Sequence, residues 1–253
     1  MSNYMQSNPN CISVWLFESG AMLTDEKGNN DLTLSSLDYP PLEDTVVYKQ
    51  GGCSAKFTYG DEEPYTIADG DLSAGFPLKN GSGKTTFSWV AWVYPSSEYT
   101  DAYLFGKMSS SYPPETALEI LYPAATWMVS AGGNETDTGI AATDDTWHHV
   151  AVTYDGDTDQ LTVRVYNEST GLTDSFQTTL TGGDVIVEGT DPWAVGDWDY
   201  DLTARIDELG VFDKVLTPAE IDDIRNGDFG DFGGATGIAD MDAYTGLMLG
   251  CPL

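Results

Sequence analysis

Basic residues are what this sequence has least of. Ten lysines and arginines stand against 41 aspartates and glutamates, a formal charge of −31 over 253 residues. No basic cluster offsets it, so a nucleic-acid backbone would be repelled and nucleic acid is excluded as a partner. Long apolar runs are missing too. Nowhere do ~18 apolar residues follow one another, which excludes membrane insertion as a helix. Cysteine is sparse: Cys11, Cys53 and Cys251 are an odd number with no C-x-x-C pair, which argues against a zinc site. Buried free thiols are expected in preference to a Cys11–Cys53 disulfide. Catalytic signatures are absent as well, with no G-x-S-x-G, H-E-x-x-H, G-x-G-x-x-G or P-loop segment. The two histidines, His148 and His149, are strand neighbours that face opposite ways, so packed imidazoles are expected rather than a metal pair. The opening MSNYMQSNPNC has neither a basic start nor an apolar core, so no cleavable signal peptide is expected.

What is present is organised around Ala204 to Gly227, ARIDELGVFDKVLTPAEIDDIRNG. Ile206, Leu209, Val211 and Phe212 supply the apolar side of a buried strand that ends near Asp213. A helix start follows. Thr217 stands as N-cap, Pro218 at the first helical position, Glu220 at the capping-box position and Gly227 as the stop, so one short helix is predicted over 217–226. Elsewhere the chain alternates strand and turn signals every 8–12 residues, as a two-sheet sandwich needs. Val46–Tyr48 and Asp184–Val187 read as short strands. In the Phe87–Pro95 segment both faces are apolar, so that strand is expected to be central.

Three stretches together resemble the laminin-G-like (concanavalin A-like) lectin-glucanase family. Trp147-His148-His149-Val150-Ala151-Val152-Thr153-Tyr154-Asp155-Gly156 is similar to its W-x-H-V-A-x-T-Y-D-G strand and turn. Thr86 to Pro95 resembles its F-T-I-S-A-W-V-x-P strand with one extra residue, and Ile206-Asp207-Glu208 with its helix completes the order. The resemblance implies an all-β, two-sheet antiparallel jelly-roll sandwich over residues 1–227. It leaves 228–253 as a Gly/Asp-rich extension suited to docking or assembly.

The resemblance also implies a structural Ca2+. Its ligands, transferred by position, would be Glu18, Asp25, the Gly28 carbonyl, Asp31 and Asp207. The loop offers the dense oxygens a hard cation wants, and an Asx-rich turn that caps itself is the competing reading. Related glycosidases carry an E-x-D-x-x-E strand, whose acids must sit ~5–5.5 Å apart for retaining hydrolysis. Here Arg205 stands where the first Glu belongs, so no enzyme is expected.

For ligand binding the richest segment is Asp191 to Asp201, where Trp193, Asp197, Trp198, Asp199 and Tyr200 combine rings with carboxylates. Rings stack on sugar C–H faces and acids accept hydroxyl protons. Glycan contact and contact with another protein chain are both open, as is a core place for Trp193. Tyr99, Tyr103 and Tyr112 form a weaker second candidate. The expected function is a non-enzymatic, lectin-like decoration protein of a virion or other extracellular surface assembly, binding a glycan or polysaccharide surface and neighbouring protein subunits. The alternatives are a free calcium-dependent adhesion protein and a divergent polysaccharide hydrolase.

Overall fold

The chain builds two layered β-sheets, seen here in a computed structural model that describes residues 4–36, 38, 40–58, 60, 64–96, 102–109, 115–121, 125–131, 134–198 and 202–227. In chain order the strands are β1 (Cys11–Trp15), β2 (Thr33–Leu34), β3 (Leu42–Asp44), β4 (Ser54–Phe57), β5 (Tyr65–Ile67), β6 (Phe87–Pro95), β7 (Ala102–Lys107) and β8 (Thr116–Leu121). They continue as β9 (Thr126–Ala131), β10 (Asn134–Ala141), β11 (His148–Asp155), β12 (Gln160–Asn167), β13 (Leu172–Thr179), β14 (Trp193–Val195) and β15 (Ala204–Phe212). Two helices flank them, α1 (Tyr4–Ser7) and α2 (Pro218–Asn226). One sheet runs β13-β12-β11-β6-β15-β4-β3, with β1 also on β15; the other runs β10-β9-β8-β7-β14-β5-β2. The strand pairs are antiparallel, giving the jelly-roll sandwich. Among the described residues, no helix is long and apolar enough to cross a membrane.

The centre of the first sheet is β15. It pairs with β6 along one edge, and with β4 and then β1 along the other, so its Ile206, Leu209 and Val211 are sealed on the inner face. A bulge between Asp207 and Gly210 breaks the β6 register and puts Glu208 at φ 53°. On β6, Phe87, Trp89, Ala91 and Val93 point into the sandwich. Val90 points outward and is covered by Leu216, Ile221 and Ile224 of the α2 segment, together with Met5 and Phe212. That is why β6 reads apolar on both faces.

The helix begins as its residues dictate. Thr217 Oγ1 accepts the Glu220 N–H while the Glu220 carboxylate accepts the Thr217 N–H, and Gly227 closes it in the left-handed region at φ 63°. Two predicted strands fail. Asp44 Oδ1 accepts the N–H groups of both Val46 and Val47, bending the chain at once and leaving Val46 85% exposed. At the other, a 3-10 turn over Gly182–Asp184 replaces the start of the Asp184–Val187 strand. Conversely β10, sequence NETDTGIA, has no apolar alternation strong enough to read, because it is a sheet edge half in solvent.

The inner core is aromatic, and Trp193 is its hub. Its ring stacks on Trp15 at 5.9 Å and meets Trp89 at 5.2 Å and Phe76 at 5.3 Å edge-on. Trp193→Ala should therefore cost about 3–5 kcal/mol, whereas Thr217→Ala, which removes only a cap bond, should cost about 1 kcal/mol. Urea unfolding measures both, and the midpoint should fall without a change in slope.

Candidate functional site: an acidic cleft beside Trp198

The loop after β1 is built on one carboxylate. Asp25 is buried, and its Oδ1 accepts N–H groups from Val14 (2.8 Å) and Lys27 (3.0 Å) while Oδ2 accepts those of Asn29 (3.2 Å) and Asn30 (3.0 Å). Gly28, at φ 76°, makes the turn that lets those amides converge. Asp31 Oδ1 in turn accepts the Asp25 N–H at 2.8 Å. Asn30 ties the loop to its surroundings: Nδ2 donates to Ser13 and Ser73 hydroxyls, Oδ1 accepts the Ser73 N–H, and the Trp15 indole donates to its carbonyl.

This corrects the expected cation set. Asp25 already has its lone pairs filled by four backbone donors, so it is the keystone of a self-capped Asx turn rather than a metal ligand. Gly28 and Asp31 belong to the same turn. Among the described residues, no group of three or more His, Cys, Asp or Glu side chains converges as a metal cup.

Glu18 and Asp207 form a separate pair of acids, both gripping the 49–52 loop. Glu18 accepts the Gly52 N–H through both oxygens, at 2.9 and 3.2 Å, and fills the space a side chain on Gly51 would need. Asp207, 0% exposed, accepts the Lys49 and Gln50 N–H groups through Oδ2 at 2.7 and 3.1 Å. Its Oδ1 is buried with no hydrogen-bond partner. Burial, with the Glu18 charge adding to it, pushes the Asp207 carboxyl up from 3.8 to about 7, although the loop amides pull the other way.

The predicted ligand residues divide. Trp193 is core, as described above. Asp197 is buried and accepts the Tyr103 N–H through Oδ2 at 2.7 Å, which makes it a brace between β7 and the β14 exit rather than a ligand. Asp199 and Tyr200 lie outside the described residues, as do Tyr99 and Tyr112 of the weaker candidate. Trp198 is half-buried and walls a cleft of about 290 Å³ that also takes in Asn29, Asp31, Thr33, Thr66, Asp71 and Pro192. Residues 29–31 of the turn read from sequence as a metal loop thus line the same cleft as the ring. Thr66 and Asp71 gave no sequence signal. They reach the site only because β5 lies between β2 and β14.

The other reactive side chains are packed away. His148 meets Trp127 and His149 meets Trp92, on opposite faces of β11, and burial lowers their pKa values to about 4 and about 3. Cys11 and Cys53 are buried free thiols, pushed up to about 12 and about 11 by burial. Cys251 lies outside the described residues.

A profile of the concanavalin A-like lectin/glucanases superfamily matches residues 69–222, more than half of the chain. The chain belongs to that superfamily. Among solved structures it is similar to domain 4 of an extracellular arabinanase from Geobacillus stearothermophilus, solved with arabinotriose. That match has 19% identity and a TM-score of 0.61, covering 85% of this chain and 98% of that one. It is also similar to the binding domain of botulinum neurotoxin DC in complex with SialylT, at 10% identity and TM-score 0.59, over 88% of this chain and 52% of that. A sialidase from Trypanosoma rangeli matches at 14% identity and TM-score 0.57, over 85% and 32%. The chain thus spans about half of the toxin domain and a third of the sialidase. Identities this low establish the shared fold, which serves binding domains and enzymes alike. No curated protein matches the chain.

The Asp207 geometry has a pH consequence. Its folded pKa lies above the unfolded value, so between about pH 4 and pH 7 the folded chain holds more protons than the unfolded one and stability falls as pH rises. In chelator, up to about 4 kcal/mol should be lost across that window. Asp207→Asn should flatten the slope in urea unfolding measured from pH 4 to 8.

Proposed function

We propose that this protein is a non-enzymatic glycan-binding sandwich that acts as an adhesion module in a virion or other extracellular surface assembly. The observation that supports glycan binding is the Trp198 cleft, whose lining combines an aromatic ring with Asp31 and Asp71. A sugar presents an apolar C–H face and a rim of hydroxyl donors, and this pairing suits both. A superfamily relative solved with arabinotriose supports the same reading. Against a hydrolase stands the burial of Asp207 beneath backbone amides, where it has no access to a glycosidic bond. For assembly, Leu42 and Tyr48 are exposed beside Val46 at the β3 edge and offer apolar contact to a neighbouring protein subunit.

A structural Ca2+ fits Glu18 and Asp207 rather than the five residues the family pattern suggests. The orphaned, buried Asp207 Oδ1 beside the charge of Glu18 is the kind of oxygen pair that a hard cation satisfies. Bound there, the ion would offset two like charges and lock the 49–52 loop.

Trp198→Ala should weaken glycan binding about tenfold in titration calorimetry while leaving circular dichroism unchanged. Unchanged affinity would overturn the assignment of this cleft. Millimolar Ca2+ should raise the melting temperature by several degrees in the native chain but not in Asp207→Asn, as scanning calorimetry would record. Purified particles lacking the chain in mass spectrometry, with a monomer in solution, would remove the assembly role.

A further inference from the structure

The cleft's charge goes further than its shape. We propose that it selects an uncharged sugar residue and turns away sialylated, uronate and sulfated ones; this rests on the glycan-binding reading above.

Of the polar groups left for a ligand, the Asn29 amide, the Thr66 hydroxyl and the unpartnered Trp198 indole N–H can donate, whereas the charged ones only accept. Asp71 is exposed, and its carboxylate has no partner among the described residues. Asp31 spends Oδ1 on the Asp25 N–H, which leaves its second oxygen. Asn30, also at the cleft, is saturated by Ser13 and Ser73, and the Thr33 hydroxyl donates to the Thr66 carbonyl. Carboxylates accept hydrogen bonds and cannot donate them, so they require hydroxyl or amide donors from whatever binds. A neutral sugar supplies hydroxyls on adjacent carbons. An acidic one places a third negative charge beside two.

The bases of the chain lie outside the cleft. No lysine or arginine lines the cleft. Lys49, Lys84, Lys107, Arg164, Arg205, Lys214 and Arg225 are each paired with an acid that is not part of the cleft lining, the Lys107 partner Asp69 lying at its margin. Lys27 Nζ donates to the Gln6 and Asn8 carbonyls and Lys79 Nζ to those of Gly70 and Leu72, which flank Asp71; both keep their charge, but neither lines the cleft. Lys56 remains, and it sits on β4 in the other sheet. An anionic sugar here would meet no lysine or arginine in the cleft lining, within a chain already at −31.

A glycan array carrying neutral oligosaccharides and their sialylated, sulfated and uronate counterparts tests this with the full chain. Each acidic counterpart should bind at least tenfold more weakly at 0.15 M NaCl, and the gap should narrow at 1 M NaCl, where the Debye length shrinks from about 8 Å to about 3 Å. Asp71→Asn, at an exposed position whose loss leaves the fold intact, should narrow the gap severalfold at low salt. Acidic counterparts that bind as well as neutral ones at 0.15 M would overturn the selectivity while leaving glycan binding in place. An array with no binder, or with binders untouched by Trp198→Ala, would overturn the glycan reading itself and the selectivity with it.

Discussion

The pairing of β15 with β6 is the constraint the molecule is built on, because it fixes both faces of the larger sheet at once. Inward, Ile206, Leu209 and Val211 join the aromatic cluster around Trp193; outward, Phe212 and Val90 form the floor on which α2 lies. Strand and helix are consecutive in the chain, so the helix covers the strand it has just left. The bulge at Asp207–Gly210 is the one break in that ladder, and it turns Asp207 toward the 49–52 loop.

An excess of acid over base would normally work against a compact state through self-repulsion. Much of that charge is answered by backbone amides instead of by the scarce bases. Asp25 collects four N–H groups, Asp207 two, and Glu188 accepts from Gly81 and Lys84 as well as the Ser82 hydroxyl. Each such acid pins a loop against a strand, so the negative charge serves as connection between turns and sheets. The cost falls where an acid is buried with an oxygen left over, as at Asp207.

The same economy shapes the candidate site. With the bases outside it, the cleft that holds Trp198 and part of the Asx turn carries two carboxylates, amide and hydroxyl groups and one ring. On the central strand β15, Asp207 lies beneath the Lys49 and Gln50 amides.

What the residues determined by themselves is local. The Thr217, Pro218, Glu220 and Gly227 positions define α2 because capping joins groups three or four residues apart, and the apolar alternation of β6 and β15 marks them as central. The buried state of His148 and His149 was also legible, since strand neighbours must face opposite ways. Tertiary structure alone decided between Trp193 and Trp198, which share one acidic, aromatic stretch: β14 pairs Trp193 with Ile67 and Lys107, turning that ring inward, and the strand has ended before Trp198. It also decided that Asp25 caps a turn, that Glu18 and Asp207 both hold the 49–52 loop, and that Asp71 and Thr66 reach the Trp198 cleft. These are contacts between residues far apart in the chain. They depend on which strands lie side by side, and no short-range spacing in an amino-acid sequence encodes that.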